Sequence, residues 1–423
     1  MKIKLAYGRE GLIIDLPDNL NVQVVEPNHL EGFTEQTESV RDALLRPIAS
    51  KPLRQLVKPS DRVGIVINDI TRATPYRIIL PPLLEQLDHV SRSQITLFNA
   101  TGTHRPNTKA ELQGMLGDDI ASRYSIVQND CMDRDSHTLV GTTKTGNEIW
   151  IHKNFVECDV KILTGFIEPH FFAGFSGGGK AVMPGLALLE TVLRNHSPKN
   201  LDHPMAHWGL TDGNPTLEEI KEAASMTQPT FLLNVTLNKD KQITGVYAGD
   251  PIEAHVQGCA FAKANAMIPV KDPFDVVITT NSGYPLDLNL YQSIKGISAA
   301  SQVVKEAGSI IAAADCWDGI PDHGEYGRLL HEADSVESLL EAVYKPGFLK
   351  QDMWQAQIHA MICRKAEVYF YSDNLTDEQI IGAFLKPCRS IEATVNELLN
   401  RYGTTASICV LPQGPQTIPF VCE

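Results

Sequence analysis

Residues 168–180 read EPHFFAGFSGGGK, and they follow an apolar run at residues 160–165 that is typical of a buried strand. Four glycines within six residues remove Cβ atoms where this strand gives way to a turn. Backbone N–H groups can then converge on an anion. Lys180 closes the loop and His170 lies ten residues before it, so the stretch predicts a chemical site. The alternative is a tight glycine-rich connection between packed elements.

Two earlier apolar runs end in polar residues in the same way. Residues 63–67 lead to Asp69 and Arg72, and residues 95–98 lead to His104. Strands that alternate with helices indicate an α/β fold with a mostly parallel sheet. In such sheets ligands gather beyond the carboxyl ends of the strands. We therefore expect these polar residues and the opening stretch to lie along one edge of the sheet.

The second half of the chain repeats the alternation of strands and helices. We predict two α/β domains, at residues 1–268 and 269–423, with an active-site cleft between them; the final helix or tail is allowed to cross back. Residues 269–273 read as the linker, and Thr216 as the start of a capping box. The predicted elements after the linker are strands at 276–279, 309–313, 368–371 and 408–411 and helices at 298–306, 335–343, 354–365 and 390–402.

The composition argues against two classes of partner. The chain has 423 residues and a formal net charge of −14, whereas nucleic acids and anionic membranes select for a basic face. The N-terminus lacks the apolar region of a signal peptide, and no run approaches the roughly 18 apolar residues of a membrane span. The eight cysteines are then expected to be reduced thiols. We expect a cytoplasmic protein that binds neither nucleic acid nor membrane.

Residues 174–180 also satisfy the first seven positions of the GxxxxGK phosphate-binding loop. The eighth position is Ala181, where a nucleoside-triphosphate hydrolase needs a hydroxyl for magnesium, and Pro184 lies where the next helix should run. These departures disfavour a nucleotide hydrolase, although this class stays open as the alternative. A phosphate cradle without magnesium survives the objection.

His104 and His170 are candidates for acid/base chemistry, because imidazole titrates near neutral pH and two imidazoles can serve as base and acid. Arg72 and Arg105 are candidates for binding a carboxylate with the planar guanidinium group. Further along, Gln292 and Lys295 would share a face if their segment is helical. Each of these residues taken alone is more often structural.

Together these segments resemble the nickel-dependent lactate racemase family, and the resemblance covers essentially the whole chain. The stretch at residues 168–185 is its most specific part. The other motifs that carry it are DITR at 69–72, ATGTHRP at 100–106, His196 and YQSIK at 291–295.

The resemblance implies a covalently bound cofactor, the nickel-pincer nucleotide (pyridinium-3-thioamide-5-thiocarboxylic acid mononucleotide) with Ni(II). Lys180 matches the lysine that is joined to it, and His196 matches the histidine that completes the four-coordinate nickel. The remaining cofactor contacts are expected from Asp69, near the ribose, and from Gly177, Gly178 and Gly179, near the phosphate. Proteins of cofactor biosynthesis are implied as maturation partners.

The resemblance further implies racemisation of a 2-hydroxy acid by proton-coupled hydride transfer, with His104 and His170 as the acid/base pair. The expected substrate-binding residues are Arg72, Tyr291, Gln292, Lys295 and Trp354. Lactate is the default substrate, and malate or another larger 2-hydroxy acid is the alternative. A relative that stores the cofactor without turnover is a third hypothesis.

Overall fold

The computed structural model describes residues 1–322 and 324–422. Its strands are β1 (Lys2–Leu5), β2 (Leu12–Asp15), β3 (Asn21–Val24), β4 (Val63–Asn68), β5 (Ile95–Ala100), β6 (Ser125–Gln128), β7 (His137–Thr142), β8 (Glu148–His152), β9 (Val160–Phe166), β10 (Pro169–His170), β11 (Gly174–Phe175), β12 (Phe231–Leu237), β13 (Ile243–Gly249), β14 (Met267–Val270), β15 (Phe274–Thr280), β16 (Val304–Ala313), β17 (Glu367–Tyr371), β18 (Lys386–Pro387), β19 (Ser407–Leu411) and β20 (Ile418–Val421).

Its helices are α1 (Gln36–Leu45), α2 (Leu53–Leu56), α3 (Tyr76–Glu85), α4 (Lys109–Leu116), α5 (Asp118–Arg123), α6 (Lys153–Val156), α7 (Leu189–Asn195), α8 (Pro198–Leu201), α9 (Pro215–Met226), α10 (Glu253–Ala266), α11 (Leu290–Ser301), α12 (Tyr326–Glu332), α13 (Val336–Val343), α14 (Met353–Lys365), α15 (Asp377–Gly382) and α16 (Ile391–Tyr402). Among the described helices, none combines the length and apolar character needed to cross a membrane.

The first large sheet has the strand order β13-β12-β9-β4-β5-β6. Its strands are parallel except for the hairpin of β12 and β13, which is antiparallel. All seven residues of β9 are buried, as expected of a central parallel strand covered on both faces. Helices α1, α3 and α4 supply much of the core on this sheet, with side chains such as Val40, Leu80 and Leu116.

The second large sheet has the order β18-β17-β16-β15-β19-β3, and every pair in it is parallel. Its core joins strand residues such as Ile278 and Ile311 to Leu398 of α16 and to Leu5 of β1. The predicted fold class, two α/β units with mostly parallel sheets, is therefore confirmed.

The chain divides into one unit of His29–Ala264 and another that joins Met1–Asn28 to Asn265–Glu423. The predicted boundary after residue 268 lies four residues from this division, but residues 1–28 belong with the C-terminal part. The physical reason is strand pairing: β3 adds to the edge of the second sheet beside β19. Nothing in the local pattern of residues 1–28 indicates this partner, because pairing between strands so far apart in the chain leaves no local signal.

Three local predictions were wrong. Helix α9 begins two residues earlier than a Thr216 cap allows, and its cap is Asn214, whose Oδ1 accepts the Leu217 N–H at 3.1 Å. Part of the predicted linker is β14, which pairs in parallel with β20. The helix predicted at 298–306 is α11, which ends at Ser301, and the chain enters β16 at Val304. Apolar runs of this length do not distinguish a helix from a buried strand.

Candidate active site

Three adjacent parallel strands, β9, β4 and β5, end at the same edge of the first sheet. Asp69 and Arg72 follow β4, His104 follows β5, and His170 follows β9. The strand order therefore brings these loops to one edge of the sheet, as predicted. This gathering follows from the parallel pairing, since the carboxyl ends of parallel strands point the same way.

Asp69 and His104 form a dyad in which Asp69 is buried and His104 is half-buried. Asp69 Oδ2 lies 2.6 Å from His104 Nδ1, and Asp69 Oδ1 accepts hydrogen bonds from the N–H and the hydroxyl of Thr71 at 3.0 and 2.6 Å. Burial alone would raise the pKa of Asp69, but His104, Arg72 and Thr71 together lower this pKa to about 2. A carboxylate only accepts hydrogen bonds, so His104 carries a proton on Nδ1, and the neutral form of the ring has its lone pair on Nε2. His104 is thereby oriented as a base.

His170 has a different environment. Its Nδ1 accepts the backbone N–H of Ala173 at 3.3 Å, so the neutral ring carries its proton on Nε2. The ring packs edge-on against Phe172, with centroids 4.7 Å apart, and against Phe171 at 4.8 Å. The two histidines thus present opposite groups at Nε2, a lone pair on His104 and a proton on His170. This is the starting state that an acid/base pair needs for one direction of reaction.

The glycine loop is held from two sides. Gly177 and Gly178 have φ values of +76° and +54°, a region that favours glycine. Asn234 Oδ1 accepts the Gly178 N–H at 2.9 Å, and His255 Nε2 lies 2.9 Å from the carbonyl oxygen of Ser176. A Cβ on Gly178 would lie 2.7 Å from the His255 ring. We call Asn234 and His255 the loop clamp.

The loop leads into a single 3₁₀ turn, Gly178–Ala181. In a nucleotide hydrolase the phosphate-binding loop opens an α-helix whose N-terminus faces the phosphates. The Gly178 N–H is also already bonded to Asn234, and the Lys180 N–H to the carbonyl oxygen of Gly177. The geometry therefore disfavours the hydrolase alternative. The predicted phosphate contact of Gly177, Gly178 and Gly179 stays a prediction.

Lys180 is partly buried, and its Nζ lies 5.7 Å from the centroid of the Phe172 ring. Burial, assisted by the positive charge of Arg72, lowers the pKa of Lys180 to about 7. A large share of the amine is then neutral at neutral pH, which makes it a nucleophile.

His196 follows α7 and is buried. Its Nδ1 lies 2.9 Å from Asn195 Oδ1, and its ring packs on Phe172 at 4.8 Å. Burial, and then the charge of Lys180, holds the pKa of His196 well below its usual range. A neutral imidazole is the form that binds metal ions.

Four predicted substrate residues come together on α11 and α14 of the second unit. Lys295 Nζ donates to Gln292 Oε1 at 2.7 Å, which confirms that these side chains share a helical face. Trp354 Nε1 donates to the hydroxyl of Tyr291 at 3.1 Å, and the Tyr291 ring packs edge-on against Tyr326. The group joins a cation, an amide and an aromatic surface, which suits a small carboxylate with an apolar part.

Arg105, the other carboxylate candidate, forms a two-pronged ion pair with Glu111 at 2.8 and 2.9 Å. Glu111 also completes the capping box of α4 through Thr108. The guanidinium of Arg105 is therefore committed to a structural contact in this unit. Arg72 instead bonds the carbonyl and hydroxyl oxygens of Thr71, beside the dyad.

Sequence reasoning missed Phe172 and the loop clamp. Phe172 contacts His170, His196 and the amine of Lys180, and the Asn214 side chain holds its carbonyl oxygen at 3.0 Å. Only its position within residues 168–180 could have indicated that Phe172 belongs to the site. Asn234 and His255 lie far away in the sequence, on a strand and a helix, where a lone polar residue gives no functional signal.

Fold and site together describe an α/β enzyme with two imidazoles and a reactive amine at one edge of a sheet. The family model of the lactate racemase N-terminal domain matches residues 7–209, and that of the lactate racemase C-terminal domain matches residues 270–418. The chain belongs to the lactate racemase family, and with it to the isomerases. The predicted family is confirmed.

Two curated relatives are named lactate racemase. That of Thermoanaerobacterium thermosaccharolyticum is 33% identical over 98% of both chains. That of Lactiplantibacillus plantarum is 37% identical over 95% of this chain and 98% of the relative. The similarity therefore extends through both units.

Solved structures agree with these matches. The lactate racemase apoprotein of Thermoanaerobacterium thermosaccharolyticum superposes with a TM-score of 0.91 at 32% identity, covering 100% of both chains. A protein from Thermotoga maritima shares the fold at 17% identity, with a TM-score of 0.73 over 93% of this chain and 100% of that one.

Proposed function

We propose that this chain interconverts the two enantiomers of lactate, with His104 and His170 as the acid/base pair. The observation that carries the proposal is the arrangement at the edge of the first sheet. There the Asp69–His104 dyad, His170 and the amine of Lys180 lie on loops that follow neighbouring strands. The names of the two curated relatives support lactate as the substrate.

The residues present fit a nickel-pincer nucleotide. Lys180 offers an amine with a pKa of about 7 for a covalent link, and His196 offers a neutral imidazole as the protein's nickel ligand. Across the described parts of the chain, no three His, Cys, Asp or Glu side chains cluster as a metal site. A nickel ion bound here would therefore need an organic ligand for its other positions. When bound, this cofactor would supply an acceptor and donor of hydride.

The chain's own groups move the protons. His104 takes the hydroxyl proton of one enantiomer at Nε2, and the negative charge of Asp69 stabilises the resulting imidazolium. His170 donates a proton to the oxygen on C2 from the opposite side. It serves as the base when the other enantiomer is the substrate. Two bases are needed because the two enantiomers present their hydroxyl groups on different sides. Arg72 neutralises the carboxylate of the substrate.

Tyr291, Gln292, Lys295 and Trp354 are proposed to bind the substrate as well. Lys295 and Gln292 would pair with the carboxylate, and the joined rings of Trp354 and Tyr291 would limit the size of the side chain on C2. The methyl group of lactate can pack against these rings. The second carboxylate of malate would lose its hydration there and would need a cation to pair with.

The test uses cofactor-loaded protein and a panel of single-enantiomer 2-hydroxy acids that includes lactate and malate. Loss of optical purity is followed by chiral chromatography. Lactate carrying deuterium at C2 adds a second readout: hydride return keeps the label in the racemised product, whereas deprotonation at C2 releases it to water. A lactate sample that keeps its optical purity would overturn the proposal.

The covalent link is tested separately by intact-protein and peptide mass spectrometry. We expect the peptide that contains Lys180 to carry an added mass, and Lys180→Ala to lose both this mass and the bound nickel. Lys239→Ala, at an exposed turn, is the matched control and should keep both. If Lys180→Ala retains full racemase activity, the assigned role of this lysine is wrong.

A further inference from the structure

A buried carboxylate lies behind His196. Glu219 on α9 is 5% exposed and accepts hydrogen bonds through both oxygens. Its Oε1 is bonded to the hydroxyls of Thr143, at 3.0 Å, and Thr145; its Oε2 is bonded to the side-chain amides of Asn147 and Asn195 at 3.2 and 2.8 Å. Because all four groups donate to it, this carboxylate fixes how their polar ends are turned.

The carboxylate determines how the Asn195 side chain is turned. Asn195 Nδ2 faces Glu219 Oε2 and the carbonyl oxygen of Thr216, at 2.8 and 3.2 Å. Both partners only accept hydrogen bonds, so the donating end of the amide must point at them. Asn195 Oδ1 is left to face His196 Nδ1 at 2.9 Å. The facing imidazole nitrogen must then be the one that carries the proton.

We infer that Asn195 and Glu219 are positioning residues which hold the His196 imidazole in the Nδ1–H tautomer and so direct the Nε2 lone pair toward a metal ion. The inference rests on the proposed role of His196 as the nickel ligand. It extends that role to a relay of Glu219, Asn195 and His196, in which only His196 touches the metal. We call these three residues the histidine relay.

The relay also joins three separate elements. Asn195 ends α7, Glu219 lies in α9, and Thr143, Thr145 and Asn147 belong to the turn between β7 and β8. Asn195 is fully buried, so water does not compete for its amide. Partners of this kind fix the tautomer and ring direction of metal-binding histidines, and their loss typically weakens metal binding about 10–100-fold.

The first experiment reads the tautomer directly. The apoprotein is labelled with ¹⁵N-histidine, and long-range ¹H–¹⁵N spectra at pH 8 distinguish protonated from unprotonated ring nitrogens. The signals of His196 are assigned by their loss in His196→Gln. We expect a proton on Nδ1 in the wild type. A proton on Nε2 of the wild-type His196 ring would by itself overturn the inference.

The second experiment uses variants in the same spectra. Asn195→Leu keeps the volume but removes the acceptor, so we expect the Nδ1–H tautomer to lose its dominance. Glu219→Leu should shift the tautomer in the same direction. Glu219→Gln should restore it, because the glutamine Oε1 can accept from Asn195 while its amide donates to the threonine hydroxyls. Glu222→Leu is the control, because Glu222 lies on the same helix but its side chain accepts a hydrogen bond from the Lys144 N–H; it should leave the tautomer unchanged.

Nickel retention completes the test. In cofactor-loaded protein we expect Asn195→Leu to lose nickel to a chelator about 10–100-fold faster than the wild type, with Glu219→Gln and Glu222→Leu close to wild type. Wild-type tautomer and retention in Asn195→Leu would overturn the inference. A loaded wild type without nickel would instead overturn the proposed function, and the apoprotein spectra would still decide the orientation of His196.

Discussion

Lys180 illustrates how an ordinary residue type gains unusual chemistry from its surroundings. An unperturbed lysine has a pKa of about 10.4 and is almost wholly charged at neutral pH. Here burial and the nearby charge of Arg72 lower this pKa to about 7. The residue type and its place after three glycines were readable in the sequence. The lowered pKa depends on Arg72, more than one hundred residues earlier, and on packing against Phe172.

The lowered pKa predicts selective labelling of the apoprotein. Trace acetic anhydride reacts with neutral amines, so the labelling rate of Lys180 should rise with pH and level off above about pH 7 to 8. Peptide mass spectrometry measures the rate, with the exposed Lys239 as the surface reference. A labelling midpoint near that of free lysine would contradict the expected environment.

The same shift predicts a pH dependence of stability. A buried lysine whose pKa is lower in the folded state binds fewer protons there than in the unfolded chain. Stability therefore rises with pH between about 7 and the unfolded value of about 10.4. Lys180→Met should flatten this rise and stabilise the apoprotein at pH 6 to 7. Urea unfolding at several pH values tests this, and an unchanged slope would contradict it.

The Asp69–His104 dyad predicts a kinetic effect. Asp69→Asn removes the charge that stabilises the imidazolium, and we expect kcat/KM for lactate to fall by about 10²–10⁴. The fall should be equal in both directions, because the enantiomers have equal free energies. Polarimetry from pure D- and L-lactate measures both, and Asp240→Asn at an exposed turn is the control. Activity within a few-fold of wild type would contradict a role for the dyad.

At the scale of elements, the glycine loop is shaped by its neighbours as much as by its own residues. Asn234 on β12 and His255 on α10 hold the backbone on either side of Gly177. The glycine run predicted a tight turn, and the structure contains this turn. The side chains of Asn234 and His255 contact the loop only in the folded chain. These contacts decide which backbone N–H groups of the loop are left to bind a ligand.

Gly178→Ala should displace the loop. The new Cβ would lie 2.7 Å from the His255 ring at a φ of +54°, so both packing and backbone oppose it. We expect loss of most of the mass added to Lys180 in cofactor-loaded protein, with the fold intact by circular dichroism. Gly114→Ala in α4, where a Cβ meets nothing within 4 Å, is the matched control and should slightly stabilise. If the Gly178→Ala protein carried the full added mass on Lys180, the expected displacement of the glycine loop would be contradicted.

At the scale of the whole molecule, each of the two units has its own sheet and its own core. The second unit is assembled from both ends of the chain, since β3 pairs with β19 and residues of β1 and β2 pack in the same core. The predicted boundary near residue 268 came from a change in local pattern. The assignment of residues 1–28 depended on long-range pairing and was missed.

The division into two units predicts which strands lose protection from hydrogen exchange when a core residue is mutated. Leu5 is fully buried in the core of the second unit, and Leu5→Ala should cost about 2–5 kcal/mol. Hydrogen exchange measured by mass spectrometry should speed up in β15 and β19. Peptides of β4 and β5, in the other unit, serve as the internal reference. Faster exchange confined to β4 and β5 would contradict the assignment of residues 1–28.

The sequence by itself determined the α/β class, most strands and the family, and it predicts the residues that we propose to bear the chemistry, from His104 to His196. These are carried by local patterns: apolar runs, turn residues and motifs of fixed spacing. Only the tertiary structure decided that Asp69 orients His104, that Asn234 and His255 clamp the glycine loop, and that Glu219 stands behind Asn195. Such contacts join residues far apart in the chain, and burial sets their protonation and hydrogen bonding, so no local pattern encodes them.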